Sequence, residues 1–186
     1  MVPLPHLWLP ILLAAVLVFM TSSLVHMVLK WHNSDYRKLP DEDAVLAVLR
    51  KDNAAPGQYL FPYCSDPKDF AKPEVRQRFM DNPKGLIYLK APGLPGMGPQ
   101  LGGWFILNLL VSFSVAYVVS RTMPPAPDYL HVFRVAGTVA FLAYATGNAP
   151  ASIWMGKPWK VTLKEMADGL LYALVLAGTF GWLWPR

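Results

Sequence analysis

Met166-Ala-Asp-Gly-Leu-Leu-Tyr-Ala-Leu-Val-Leu-Ala-Gly-Thr-Phe-Gly-Trp-Leu-Trp184 carries one charge, at Asp168, in a run otherwise free of ionisable side chains except Tyr172. A helix rises about 1.5 Å per residue, so roughly 20 apolar residues cross the ~30 Å hydrocarbon layer. Three more stretches meet that test. Residues 7–29 do so despite Pro10 and a polar patch at Thr21, Ser22, Ser23 and His26. Residues 101–120 have Asn108 as their one strong exception, and residues 130–149 are weaker because Arg134 lies near their start. The pattern predicts an all-α membrane protein, a four-helix transmembrane bundle. Its parts are a first span (1–29), a small, mainly helical cytoplasmic segment with a Pro/Gly linker (30–100), and three further spans (101–186).

The remaining composition agrees. Hydrophobic residues make up 54% of the chain and charged residues 16%, against about 25% charged in soluble domains. The net charge of +5 raises the question of nucleic acid. Here, however, basic residues flank long apolar runs instead of clustering on one surface, so no nucleic-acid partner is expected. The seven tryptophans (8, 31, 104, 154, 159, 182 and 184) fall near span ends, as rings that prefer the headgroup region should. A single cysteine, Cys64, excludes an intramolecular disulfide. The apolar N-terminal stretch lacks basic residues before it and exceeds the length of a signal h-region, so it is expected to stay as a span.

Charge also sets direction. Eleven Lys and Arg lie in residues 30–100, and Lys157, Lys160 and Lys164 follow span three; only Arg121, Arg134 and Arg186 fall on the other side. The basic side should be cytoplasmic, with both termini outside. Arg134 is expected to snorkel outward and pair with Asp128.

Within residues 30–100, Pro40 with Asp41, Glu42 and Asp43, followed by Arg50 and Lys51, has the charge order a helix dipole prefers. Val45, Val48 and Leu49 would share its inner face. A second helix should start at Pro73 and end before Asn82, burying Val75 and Phe79. Gln58 to Cys64 reads as extended, and Gly85 to Lys90 as a second strand. This piece is too thin to hold a core alone. The glycines of 92–99 lack a following Gly-Lys-Ser/Thr, so they read as a linker, not a phosphate loop.

Helix packing in lipid favours small residues at four-residue spacing. Gly169, Ala173, Ala177 and Gly181 form such a stripe on span four; Ala136, Ala140, Ala143, Gly147 and Ala151 form a less regular one on span three. A tight pairing of spans three and four is expected, with a homodimer face as the alternative.

In-membrane polar groups fall at similar depth: Ser22, Ser23 and His26, then Asn108, then Tyr144 and Asn148, then Asp168 and Tyr172. Such groups are costly in lipid and mark pathways or pockets. His26, Asn108, Asn148 and Asp168 are therefore the candidate ligand or proton site. Hydrogen bonding that holds the bundle in register accounts for them without a ligand, and is the reading preferred on sequence alone. No cofactor is expected: bis-histidine haem would need His6 and His131, and His6 has little positional control beside Pro5. No metal site is expected either, the cytoplasmic side offering too few ligands. Cys64 lacks an orienting partner for nucleophilic chemistry.

Trp31-His-Asn-Ser-Asp-Tyr-Arg-Lys-Leu-Pro-Asp-Glu-Asp-Ala-Val45, Gly57-Gln-Tyr-Leu-Phe-Pro-Tyr-Cys64 and Ile153-Trp-Met-Gly-Lys-Pro-Trp159 resemble a family of uncharacterised four-span bacterial inner-membrane proteins. The resemblance implies a bacterial inner membrane and no particular activity. The first expectation is a non-enzymatic accessory, scaffold or partner-recruiting bundle, working through residues 30–100 as a homodimer or within a larger membrane complex. The alternative is a small transporter or lipid- or small-molecule-handling protein with a cytoplasm-facing polar pocket. An enzyme or haem carrier comes third.

Overall fold

The computed structural model describes residues 2–94 and 96–185, so Met1, Pro95 of the linker and Arg186 lie outside the described residues. Four helical stretches are long and apolar enough to cross a membrane: Leu4–Val28, Gly98–Thr122, Tyr129–Met155 and Trp159–Leu183. Their outward faces are apolar, with Met20, Leu24, Ile106, Leu110, Phe113, Leu142 and Leu174 all exposed. A surface of that kind is matched by lipid and not by water. The chain is a multi-pass membrane protein.

The first span comprises α1 (Trp8–Ser23), entered by a 3₁₀ turn and ending in a π-helical turn over Leu24–Val28. The second is α4 (Gly98–Thr122) and the fourth is α7 (Trp159–Leu183). The third is longer than residues 130–149 and is not one helix. It runs as α5 (Tyr129–Tyr144), breaks in a 3₁₀ turn at Thr146–Asn148, and resumes as α6 (Ala149–Met155). Pro150 cannot donate to the Thr146 carbonyl four residues back, which accepts from the Ala149 N–H in its place, while the Asn148 side-chain amide donates to the carbonyls of Tyr144 and Ala145, at 3.1 and 3.2 Å. Helix α7 also starts earlier than residue 166. Asp168, expected at the start of span four, therefore lies about two and a half turns inside it.

The core gathers Val18, Val115, Val119, Val132, Ala136, Ala140, Leu176, Ala177 and Phe180, all fully buried. The small-residue stripe of α7 faces α5 within the same chain. A Cβ added at Gly169 would stand 2.8 Å from backbone atoms of Tyr144 and Ala145, and one at Gly137 would stand 3.2 Å from the Cβ of Ala177. Ala173 and Ala177 are buried, and Gly181 lies under the Tyr129 ring. On α5 the buried small residues are Ala136 and Ala140, with Ala145 buried just past its end; Ala143 and Gly147 are exposed and Ala151 is half-buried.

Residues Arg37–Pro95 with Trp154–Gly156 form a separate compact unit. It contains α2 (Glu42–Lys51), capped by the Asp41 carboxylate, and α3 (Pro73–Asp81). The antiparallel pair β1 (Gly57–Phe61) and β2 (Gly85–Leu89) completes it. No residue of either helix is buried. Val45, Leu49, Val75 and Phe79 are half-buried, whereas Val48 is exposed, so it does not share the inner face expected of it. The Phe61 ring lies over Gly85, its partner in register.

Asp128 does not pair with Arg134. Its carboxylate accepts from the His131 backbone N–H at 2.7 Å and caps α5, the ordinary use of an aspartate in that place.

Candidate functional site

The site starts from how the first span ends. The π turn at Leu24–Val28, closed by Leu29 N–H to the Leu24 carbonyl at 3.1 Å, is a geometry frequent at functional sites. Lys30 then takes a left-handed backbone, φ +53°, uncommon for a residue with a side chain. This turns the chain into a 3₁₀ turn, Trp31–Asp35, in which side chains at i and i+3 eclipse one another. His32 and Asp35 are such a pair, with Nδ1 2.7 Å from Asp35 Oδ2.

Helix α7 supplies the other half. Lys164, Asp168 and Tyr172 follow at four-residue spacing and share a face. The Lys164 ammonium donates to the Trp31 carbonyl (2.7 Å), Ser34 Oγ (3.0 Å) and Asp35, pinning the 3₁₀ turn to the helix. Asp168, only 4% exposed, holds its Oδ2 2.7 Å from His32 Nε2 and 3.8 Å from His26 Nε2. The His26 ring stands 4.7 Å from the His32 ring, and its Nε2 is 3.3 Å from the Tyr172 hydroxyl. An ionised carboxylate only accepts. Each His32 nitrogen that faces an ionised carboxylate is therefore placed to donate, and Lys164 stands on the far side of Asp35. The Lys164 ammonium at Asp35 holds its carboxyl below the usual carboxylate range, helped by His32 and opposed by burial.

Beside the cluster opens a cleft of about 400 Å³. Tyr144, Tyr172 and Trp104 wall it, with ring centroids 5.8–6.3 Å apart. Asp168, His26, Asn148 and Glu165 present polar atoms to it, Glu165 already paired with Lys157. The Trp104 indole N–H donates to Ser22 Oγ at 2.7 Å, tying α4 to α1.

The four residues singled out from sequence separate into two groups. His26, Asp168 and Asn148 reach the cleft, Asn148 with its amide nitrogen committed to the helix break. Asn108 is fully buried, does not line the cleft, and accepts from the Tyr144 hydroxyl at 2.9 Å; that is a cross-helix tie of the structural kind. Its amide nitrogen and the Ser112 hydroxyl one turn on have no partner among the described residues. His6 and His131 are both exposed.

Sequence reasoning missed His32, Asp35 and Lys164. It also counted too few metal ligands: His26, His32 and Asp168 bring one donor atom each to within 4.8 Å of the others. The count failed because His32 was read with the polar segment, not with the span it folds back upon.

No protein-family model, characterised protein or solved structure matches the chain. The site must be read from its own geometry.

Proposed function

We propose that this chain is a bacterial inner-membrane protein that takes a small polar molecule into the cleft between His26 and Asn148, handling or transporting it. The cleft would face the cytoplasm, with residues 30–100 on that side and both termini outside; the fourteen-to-three bias of Lys and Arg supports this orientation. One observation carries the reading. Asp168 is a buried carboxylate inside an apolar helix, and it is joined to two histidines at the edge of an open cleft. Burying such charges costs several kcal/mol per ion before pairing offsets it. A bundle that needed only register is served by ties such as Asn108 to Tyr144. A mostly apolar cleft with a few converging polar groups is the usual form of a small-molecule site.

The test is native mass spectrometry of the protein extracted from its own membranes in mild detergent. A retained small molecule, lost in His26→Ala, is the expected result. Identical spectra for wild type and variant, with lipid alone retained, would refute the reading. A reporter fused after the last residue checks orientation; activity in the cytosol would reverse it.

A second reading, recruitment of a partner protein through residues 30–100, is favoured by Val48, Leu60, Tyr63, Met80 and Tyr88, each more than half exposed on that unit. Deleting residues 37–95 should then release a co-purifying protein.

A further inference from the structure

We infer that His26, His32 and Asp168 bind one divalent transition-metal ion of the zinc or ferrous class. The inference rests on reading this end of the bundle as a binding site, and it names what the site holds. Two imidazoles and one carboxylate are a donor set that suits such ions, whereas magnesium and calcium favour all-oxygen shells. The three side chains come from three separate segments: the π turn, the 3₁₀ turn and α7. Their donor atoms nonetheless lie within 4.8 Å of one another.

The spacing comes within reach of an ion once His26 moves inward. With bonds of about 2.0–2.1 Å, neighbouring ligands of a tetrahedral ion stand about 3.3 Å apart. The 3.8 Å gap from His26 Nε2 to Asp168 Oδ2 has to close by about half an ångström. The 2.7 Å gap from His32 Nε2 to the same oxygen has to open by a similar amount. The widest of the three spacings, up to 4.8 Å, has to shorten most, and the His26 side chain, 51% exposed, is free to make that movement.

An independent feature points the same way. Metal-binding histidines almost always give their other ring N–H to a carboxylate or carbonyl, which fixes the ring. His32 does this through Nδ1 to Asp35 at 2.7 Å, and Asp35 is in turn held by Lys164. On binding, His32 gives up its Nε2 proton to solvent and coordinates through that nitrogen, while Nδ1–H continues to donate to Asp35. Three protein ligands leave a fourth position open, as in sites that act on a molecule and do not merely hold a fold together. Asp168 and His26 line the cleft, so that position faces it. An oxygen donor such as a carboxylate or phosphate is the chemical class that would complete the shell.

The experiment uses the full chain in detergent, in a Cys64→Ser background, stripped with chelator and dialysed against Zn²⁺. Expected is one Zn²⁺ per chain, not displaced by excess Mg²⁺, with at least tenfold weaker binding in His26→Ala. Asp35→Asn should weaken binding 10- to 100-fold through its hold on His32. His26→Ala removes an exposed side chain, so it keeps the test sound if Asp168 or His32 variants fail to fold. Absent stoichiometric binding, or affinity unchanged in both His26→Ala and Asp35→Asn, would overturn the metal. A small molecule retained by wild type and lost in His26→Ala, with no zinc bound, likewise overturns the metal and leaves the cleft reading standing. Zinc bound with no retained molecule supports the metal and removes the cleft reading.

Discussion

Gly169→Ala should destabilise the bundle by about 1–3 kcal/mol, the usual cost of overpacking a filled interior. The added methyl would stand 2.8 Å from Tyr144 C and Ala145 Cα, and 2.9 Å from Ala145 Cβ. Two of these neighbours are backbone, which cannot rotate away. To restore an ordinary 3.4 Å contact, α7 and α5 have to part by about 0.6 Å, and gaps of about 0.5–1 Å forfeit a quarter to a half of each dispersion well they touch. The loss falls on the seam that Ala136, Ala140, Ala173 and Ala177 share. Alanine's better helix propensity does little to offset it, because membrane helices stay formed when the bundle comes apart. Unfolding in mild detergent, followed by titration with a denaturing detergent, measures the difference. Gly103→Ala is the control: it lies in α4 with nothing within 4 Å of the new methyl and should stay within about 0.5 kcal/mol of wild type. If Gly169→Ala equals or exceeds wild type in stability, the α5–α7 seam is not packed as described.

Tyr144→Phe leaves the fully buried Asn108 carbonyl without its donor, and should cost about 1–3 kcal/mol by the same assay. The double variant with Asn108→Leu should come back close to neutral, since both polar partners are then gone. Acidification should loosen the 3₁₀ turn of metal-free protein. Because Asp35 is held below its ordinary value of 3.8 when folded, its contribution is complete above that value and is lost as pH falls through the lower, folded one. Thermal unfolding from about pH 5 to pH 3 should fall more steeply for wild type than for Asp35→Asn; parallel curves refute the pairing. Gly85→Ala forces the Phe61 ring off its partner, because the new Cβ would collide with that ring. Limited proteolysis should then cut residues 37–95 faster while the four spans stay protected.

Much of the architecture was legible because lipid imposes few choices. Length and apolarity located the four spans, small residues at four-residue spacing located the α5–α7 seam, and Pro73 and the acidic run after Pro40 located the starts of two short helices. Boundaries were less legible, for physical reasons. Span four begins at Trp159 because Lys160, Lys164 and Glu165, too polar to count as membrane, still make good helix. Span three breaks before Pro150, where the Asn148 side chain ties off the carbonyls of Tyr144 and Ala145. A hydropathy window sees neither.

The ion cluster was half visible. Asp168 and Tyr172 stood out as polar groups in an apolar run, and His26 with them. His32, Asp35 and Lys164 did not, since each looked like an ordinary solvated residue beyond a span. What joins them is the reversal at Lys30, and a left-handed lysine has no sequence signature of the kind glycine or asparagine leaves. The reversal persists because Lys164 holds three acceptors of the turn at once. That arrangement bears on function. Lys164, His32, Asp35 and Asp168 are joined by contacts of 2.7 Å or less, whereas the half-exposed His26 is held more loosely, its Nε2 3.3 Å from the Tyr172 hydroxyl and 3.8 Å from Asp168. A group held loosely at the edge of a fixed network, facing an open cleft, is placed to complete a coordination shell when an ion or ligand arrives.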